Sequence, residues 1–103
     1  MNINSQPSLD SFLHHYVVDI ETWSPDIAET GMTVQAREQL SARRGDLSAR
    51  QVEMLAKADK QAAELFAAYH TLIGTPQDPY GDVAELGRIV DIIELERSPE
   101  SGG

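Results

Sequence analysis

His14 and His15 are each four residues from a carboxylate, in the pairs Asp10–His14 and His15–Asp19. On a helix that spacing places imidazole and carboxylate on one surface. Such pairs offer metal ligation or proton transfer. A helical metal centre needs more convergence than this. The di-iron bundle pattern uses Glu-x-x-His on two helices plus two further glutamates. Glu-x-x-His, His-x-x-x-His and His-Glu-x-x-His are all absent, and His70 follows Glu64 by six residues, which is not a same-face spacing. The histidines therefore read as surface or boundary side chains. A metal-dependent enzyme or carrier would have to complete a His14/His15 site with carboxylates from a second copy.

Other reactive sets are missing. With no cysteine, the chain has no disulfide, thiolate zinc site, cysteine nucleophile or iron–sulfur cluster. Gly-x-Ser-x-Gly, Gly-x-Gly-x-x-Gly and Gly-Lys-Ser/Thr do not occur. Asp78, Asp82 and Glu85 lack the alternating acids and central glycine of a calcium loop, so Asp82 reads as a helix cap. No catalytic, cofactor or metal site is assigned.

Arg43 and Arg44 precede Gly45, where a helix is expected to end, and two cations there complement the negative end of the helix dipole. Arg50 falls in the first turn of the next helix, where the dipole disfavours a cation. Together Arg43, Arg44 and Arg50 could clamp an anion or a partner's carboxylates. The Arg-Gly-Asp at 44–46 would act in adhesion only outside the cell, and nothing else points there.

Charge is unevenly placed along the 103 residues, whose net charge is −9. Residues 1–36 carry five acids and no base, residues 37–60 six bases and four acids, and residues 61–103 eight acids and two bases. A basic middle thus sits between acidic arms. The overall charge opposes general nucleic-acid binding and docking on anionic membranes. No apolar run approaches the roughly 18 residues of a membrane span. Met1 to Gln6 lacks the basic and apolar regions of a secretory signal, so a cytoplasmic protein is expected.

The elements follow from period and punctuation. Leu9, Phe12, Leu13, Tyr16, Val17, Ile20 and Trp23 form a helical stripe, with Ser8 as N-cap and Pro25 forcing a stop near Trp23. Ser24-Pro25-Asp26 restarts the chain. The next helix is weak and broken at Gly31, with a short turn at 25–30, a helix over about 32–44 and Gly45 ending it. Ser48 and Gln51 form a capping box for the strongest helix, residues 49–73, closed by Gly74 in the left-handed conformation. Its length, about 37 Å at 1.5 Å per residue, predicts that it runs the length of the molecule or overhangs it. Val52, Leu55, Ala58, Ala62, Leu65, Phe66, Tyr69 and Ile73 line one face. Ala56, Ala63 and Ala67 form a small-residue stripe open to another helix. Residues 74–81 are a loop, and Val83, Leu86, Ile89, Val90 and Ile93 mark a last helix to about Glu96. Ile92 and Leu95 lie off that stripe.

The fold class expected is all-α, a small antiparallel bundle of three long helices plus one weaker, interrupted helix. A single helical domain spans 8–96, between a flexible leader at 1–7 and a disordered tail at 97–103 ending in Gly102-Gly103. Leu, Ile, Val and Phe total 24 residues, enough for a small core only. The functional expectation is a small acidic accessory or regulatory protein (adaptor, chaperone or inhibitor) that binds another protein and catalyses nothing. A homodimer is expected from the overhanging helix. One alternative is an acidic nucleic-acid mimic, with acids of the first and last helices on one continuous face. The other is the His14/His15 metal protein.

Overall fold

The computed structural model describes residues 8–25 and 29–97. The leader at 1–7, residues 26–28 of the expected short turn, and the tail from 98 onward lie outside the described residues. Four α-helices follow in order, α1 (Leu9–Glu21), α2 (Thr30–Ala42), α3 (Ala49–Tyr69) and α4 (Asp82–Arg97). They form a small all-α bundle. No described helix is long and apolar enough to cross a membrane.

Capping chemistry sets the starts. The Ser8 hydroxyl accepts from the Ser11 N–H at 3.1 Å, and α1 ends at Glu21, two residues before Trp23. At α3 both halves of the capping box are present: Ser48 Oγ accepts from the Gln51 N–H, and Gln51 Oε1 from the Ser48 N–H. Asp82 caps a helix across the bundle. Its Oδ1 accepts from the Thr30 N–H at 3.1 Å, across to the first turn of α2. Asp78 serves the first turn of α4, accepting from the Val83 N–H at 3.1 Å. Both carboxylates are buried, and through Asp82 the start of α4 is tied to the start of α2.

Three boundaries differ from the sequence reading. The second helix begins at Thr30, so Gly31 lies within its first turn rather than breaking it. It ends at Ala42, two residues before the expected end, and the chain continues through a 3-10 turn at Arg44–Asp46 that contains Gly45. The third helix tightens into a 3-10 turn at His70–Leu72, although Gly74 does take the left-handed conformation, with φ at +81°. At Tyr69, α3 spans about 31 Å.

Long-range contacts give the helix directions. Thr33 meets Asp19, and Thr30 meets Trp23, so α2 runs back along α1. Gln51 reaches Asp10, Tyr16 reaches Asp59, and Trp23 meets Tyr69, so α3 runs beside α1 in the same direction. Each consecutive helix reverses direction, yet α3 lies diagonal to α2. The perimeter order is α1, α2, α4, α3. Asp10 of α1 and Trp23 just past its end meet α3 near its two ends, so α3 runs along most of the bundle.

The core contains Leu9, Leu13, Tyr16, Ile20 and Trp23 from α1 and its C-terminal flank. Val34, Ala36 and Leu40 enter from α2, Leu55, Ala58 and Ala62 from α3, and Val83, Leu86 and Ile89 from α4. Phe12, Phe66 and Tyr69 pack against it. The Phe66 ring stands where a Cβ at Gly87 would sit, 2.9 Å from Cε1, so the missing side chain lets α3 and α4 close together. Ile73, assigned to the core face from its spacing, is exposed beyond the end of α3.

Candidate functional site

Arg37 has the largest side chain among the fully buried ones. A buried guanidinium is costly unless its donors are met by charge. Here two carboxylates grip it. Arg37 donates from Nε and Nη2 to the two oxygens of Asp59, both at 2.9 Å. It donates from Nη1 and Nη2 to Glu96, at 2.9 and 2.7 Å. The Tyr16 hydroxyl donates to Asp59 Oδ1 at 2.6 Å, and the Tyr16 ring lies 5.9 Å from the guanidinium carbon. Arg44 adds a 2.9 Å bond to Glu96 Oε1 from the surface. One residue from each of the four helices therefore meets at a single charged centre. No buried side-chain nitrogen or oxygen among the described residues lacks a partner.

The cluster favours a charged Glu96 and Arg37 and a neutral Tyr16. Burial alone would raise the Glu96 pKa, but hydrogen bonds and charge from Arg37, with help from Ser41 and Arg44, hold it below the usual carboxylate value. For Arg37, burial favours loss of the proton, and the bonds to Glu96 and Asp59 outweigh it, raising the pKa. The Tyr16 phenol is pushed well above its ordinary value, first by burial and then by Asp59.

Two pH dependences follow. Glu96 contributes stability that is fully present above its unfolded value of 4.5 and is lost as pH falls through the depressed folded value. Tyr16 acts at the other end. Above its unfolded value of 10.0 the unfolded chain releases a proton that the folded chain keeps, so stability falls as pH rises further. An ultraviolet phenolate titration with parallel circular dichroism checks this. Of the three tyrosines, one is expected to ionise only together with loss of helicity. Removal of that late step by Tyr16→Phe assigns it.

Above the cluster, α3 and α4 leave a groove of about 470 Å³. Ala56, Ala63 and Ile93 supply its apolar lining. Asp59 and Glu96 line it too, but their oxygens are already taken by Arg37, Tyr16 and Arg44. They are poorly placed to serve as acid or base. Arg44, Lys60 and Arg97 complete the lining, and neither Lys60 nor Arg97 meets a carboxylate among the described residues. A second, apolar hollow between α2 and α4 is lined by Ala42, Ile92 and Leu95, with Leu95 74% exposed.

The residues singled out in the sequence are distributed differently. Arg43, Arg44 and Arg50 are all exposed. Arg44 is committed to Glu96, and Arg43 stands 3.7 Å from Asp46. Arg50 has no ion-pair partner among the described residues. Of these three arginines only Arg44 lines the α3–α4 groove. His14 is exposed, and Asp10 accepts from Gln51 rather than pairing with it. His15 does meet Asp19, at 3.0 Å, and Asp19 also accepts from Thr33. Among the described residues no group of three or more histidine and carboxylate side chains is placed to hold a metal ion. The α1 and α4 helices sit at opposite corners of the bundle, so α2 and α3 separate their acids.

The sequence reading passed over Arg37, Asp59 and Glu96. A signal was there. Arg37 sits three residues from both Val34 and Leu40, on the face that α2 turns inward. Asp59 stands on the inward stripe of α3, and Glu96 is one turn beyond Ile93. Charges at stripe positions of three helices, with both signs present, mark a buried ionic cluster.

Comparison of the chain with protein-family models, with curated proteins and with solved structures found no match.

Proposed function

We propose that this chain is a small acidic accessory or regulatory protein that acts by binding another protein and performs no catalysis of its own. The observation that carries the reading is the α3–α4 groove. Its lining is apolar at Ala56, Ala63 and Ile93, and it is edged by Lys60 and Arg97, which meet no carboxylate among the described residues. Exposed Leu95 and Met32 add apolar surface outside the core. Arg37 engages the groove's carboxylates on both oxygens, which fits a surface for recognition better than one for proton transfer.

Affinity capture from the native cell extract, read by mass spectrometry at low and moderate salt, tests it. A single stoichiometric partner is expected, released as salt rises. No partner above background at either salt would overturn the reading. A nucleic-acid enzyme as the partner, bound through the acids of α1 or α4, would replace it with mimicry.

A further inference from the structure

We infer that the α3–α4 groove takes an acidic helical segment of a partner protein. The inference deepens the protein-binding reading and rests on it. Charge is the first argument. Around the groove stand Arg44, Lys60 and Arg97, with Asp59 and Glu96. Arg37 lies beneath and is already shared between those two carboxylates. With Arg37 counted, four cations stand against two carboxylates here, in a chain of net charge −9. The surplus selects a negative occupant.

Shape decides what kind of anion. Ala56 and Ala63 are seven residues apart on α3, two turns or about 10.5 Å. Both are exposed and end at Cβ, with Lys60 between them on the same face. Ile93 faces them from α4. A trough with small residues on one wall and a branched apolar side chain on the other admits a helix at close approach. Carboxylates three or four residues apart on that helix can reach cations on both rims. A lone phosphate would leave the apolar lining uncovered. A nucleic acid running past the groove would meet the acidic remainder of the surface, whereas a short acidic segment ends where the cations do.

The test uses the full chain as bait for a display library of short helical peptides. Their polar face carries Glu, Gln or Lys at equal frequency, and their apolar face Ala, Leu or Val. The counter-bait is the double variant Lys60→Glu/Arg97→Glu. Both side chains are exposed and unpaired among the described residues, so the variant is expected to melt with the wild type. Glu-rich peptides are expected from the wild type, with amide shifts confined to 56–63 and 93–97. They should bind the double variant about tenfold more weakly, and Lys-rich peptides should replace them. Selected peptides without a Glu excess, equal affinity for both baits, or shifts elsewhere would overturn the inference. So would displacement by inorganic phosphate beyond that by chloride of equal ionic strength, which would mark an anion site only. Capture of the same natural partner by both baits would remove the groove but leave the accessory reading intact. A library result as expected, with no natural partner captured, would remove the accessory reading and the partner with it, leaving only the groove's preference for acidic helices.

Discussion

Arg37→Met is expected to cost about 3–5 kcal/mol of folding stability, because it leaves Asp59 and Glu96 unpaired in a largely dry site. A domain of this size loses roughly 4–8 °C in Tm per kcal/mol, so the melt should fall by more than about 12 °C. Arg37→Lys should recover little. Its single ammonium cannot answer four carboxylate oxygens with the geometry of a fork. Replacing the whole cluster should behave differently. Tyr16→Phe, Arg37→Met, Asp59→Leu and Glu96→Leu together remove the guanidinium, its two carboxylates and the phenol that needs an acceptor. Such exchanges are often neutral or stabilising, so the quadruple variant should melt well above the single one. Urea unfolding of both variants decides it. A loss under about 1 kcal/mol for Arg37→Met would mean that water reaches the carboxylates. A quadruple variant no better than the single would assign the loss to packing rather than charge.

Leu86→Ala is expected to cost about 2–5 kcal/mol, the range for opening a cavity in a closed core. Leu95, nine residues further along α4, provides the internal control. Leu86 is fully buried and Leu95 is 74% exposed, so Leu95→Ala should stay within about 0.5 kcal/mol of wild type. Denaturant midpoints at constant slope measure both. An equal loss at the two positions would mean that α4 packs with a different face inward.

That contrast also shows what could be read from residue order. The stripe through Val83, Leu86 and Ile89 is periodic and apolar, and periodicity is a local property of the chain. Capping is equally local. Ser8, Ser48 and Gln51 act within three residues, and all three were visible. Asp82 was visible only as a capping residue. Its N–H partner, Thr30, is 52 residues away, and no local rule selects it. The same limit hid the Arg37 cluster. Each member stood at an inward position of its own helix, but the diagonal placement of α3 is what brings Asp59 to Arg37. That placement is a property of the six-residue α2–α3 connection and the packing, not of any single stripe. At the site, Arg44 was legible as one of a cluster of arginines. Lys60 and Arg97 were not, because a groove between two helices joins residues that neither helix groups by itself. The length of the third helix was overread for a related reason. Its apolar period continues to Ile73, but the chain tightens after Tyr69.

The meeting of four helices at one guanidinium also bears on how the molecule comes apart. Suppose α4 peels away while the other helices stay. Arg37 then keeps Asp59 but exposes two donors, and Arg44 loses its carboxylate. If α3 leaves, Tyr16 and Arg37 lose a partner together. Every partly open form carries a penalty that the fully open chain does not, since there water solvates each group. Intermediates are disfavoured relative to both end states, which is the condition for all-or-none unfolding. Amide protons on α1, α2, α3 and α4 beside the cluster should therefore exchange through one shared opening, at the global rate, despite their distance in sequence. A chain cut before Glu96 would lose more than its last turn. It would lose the carboxylate that lets Arg37 stay inside, and with it the coupling that makes four short helices behave as one body.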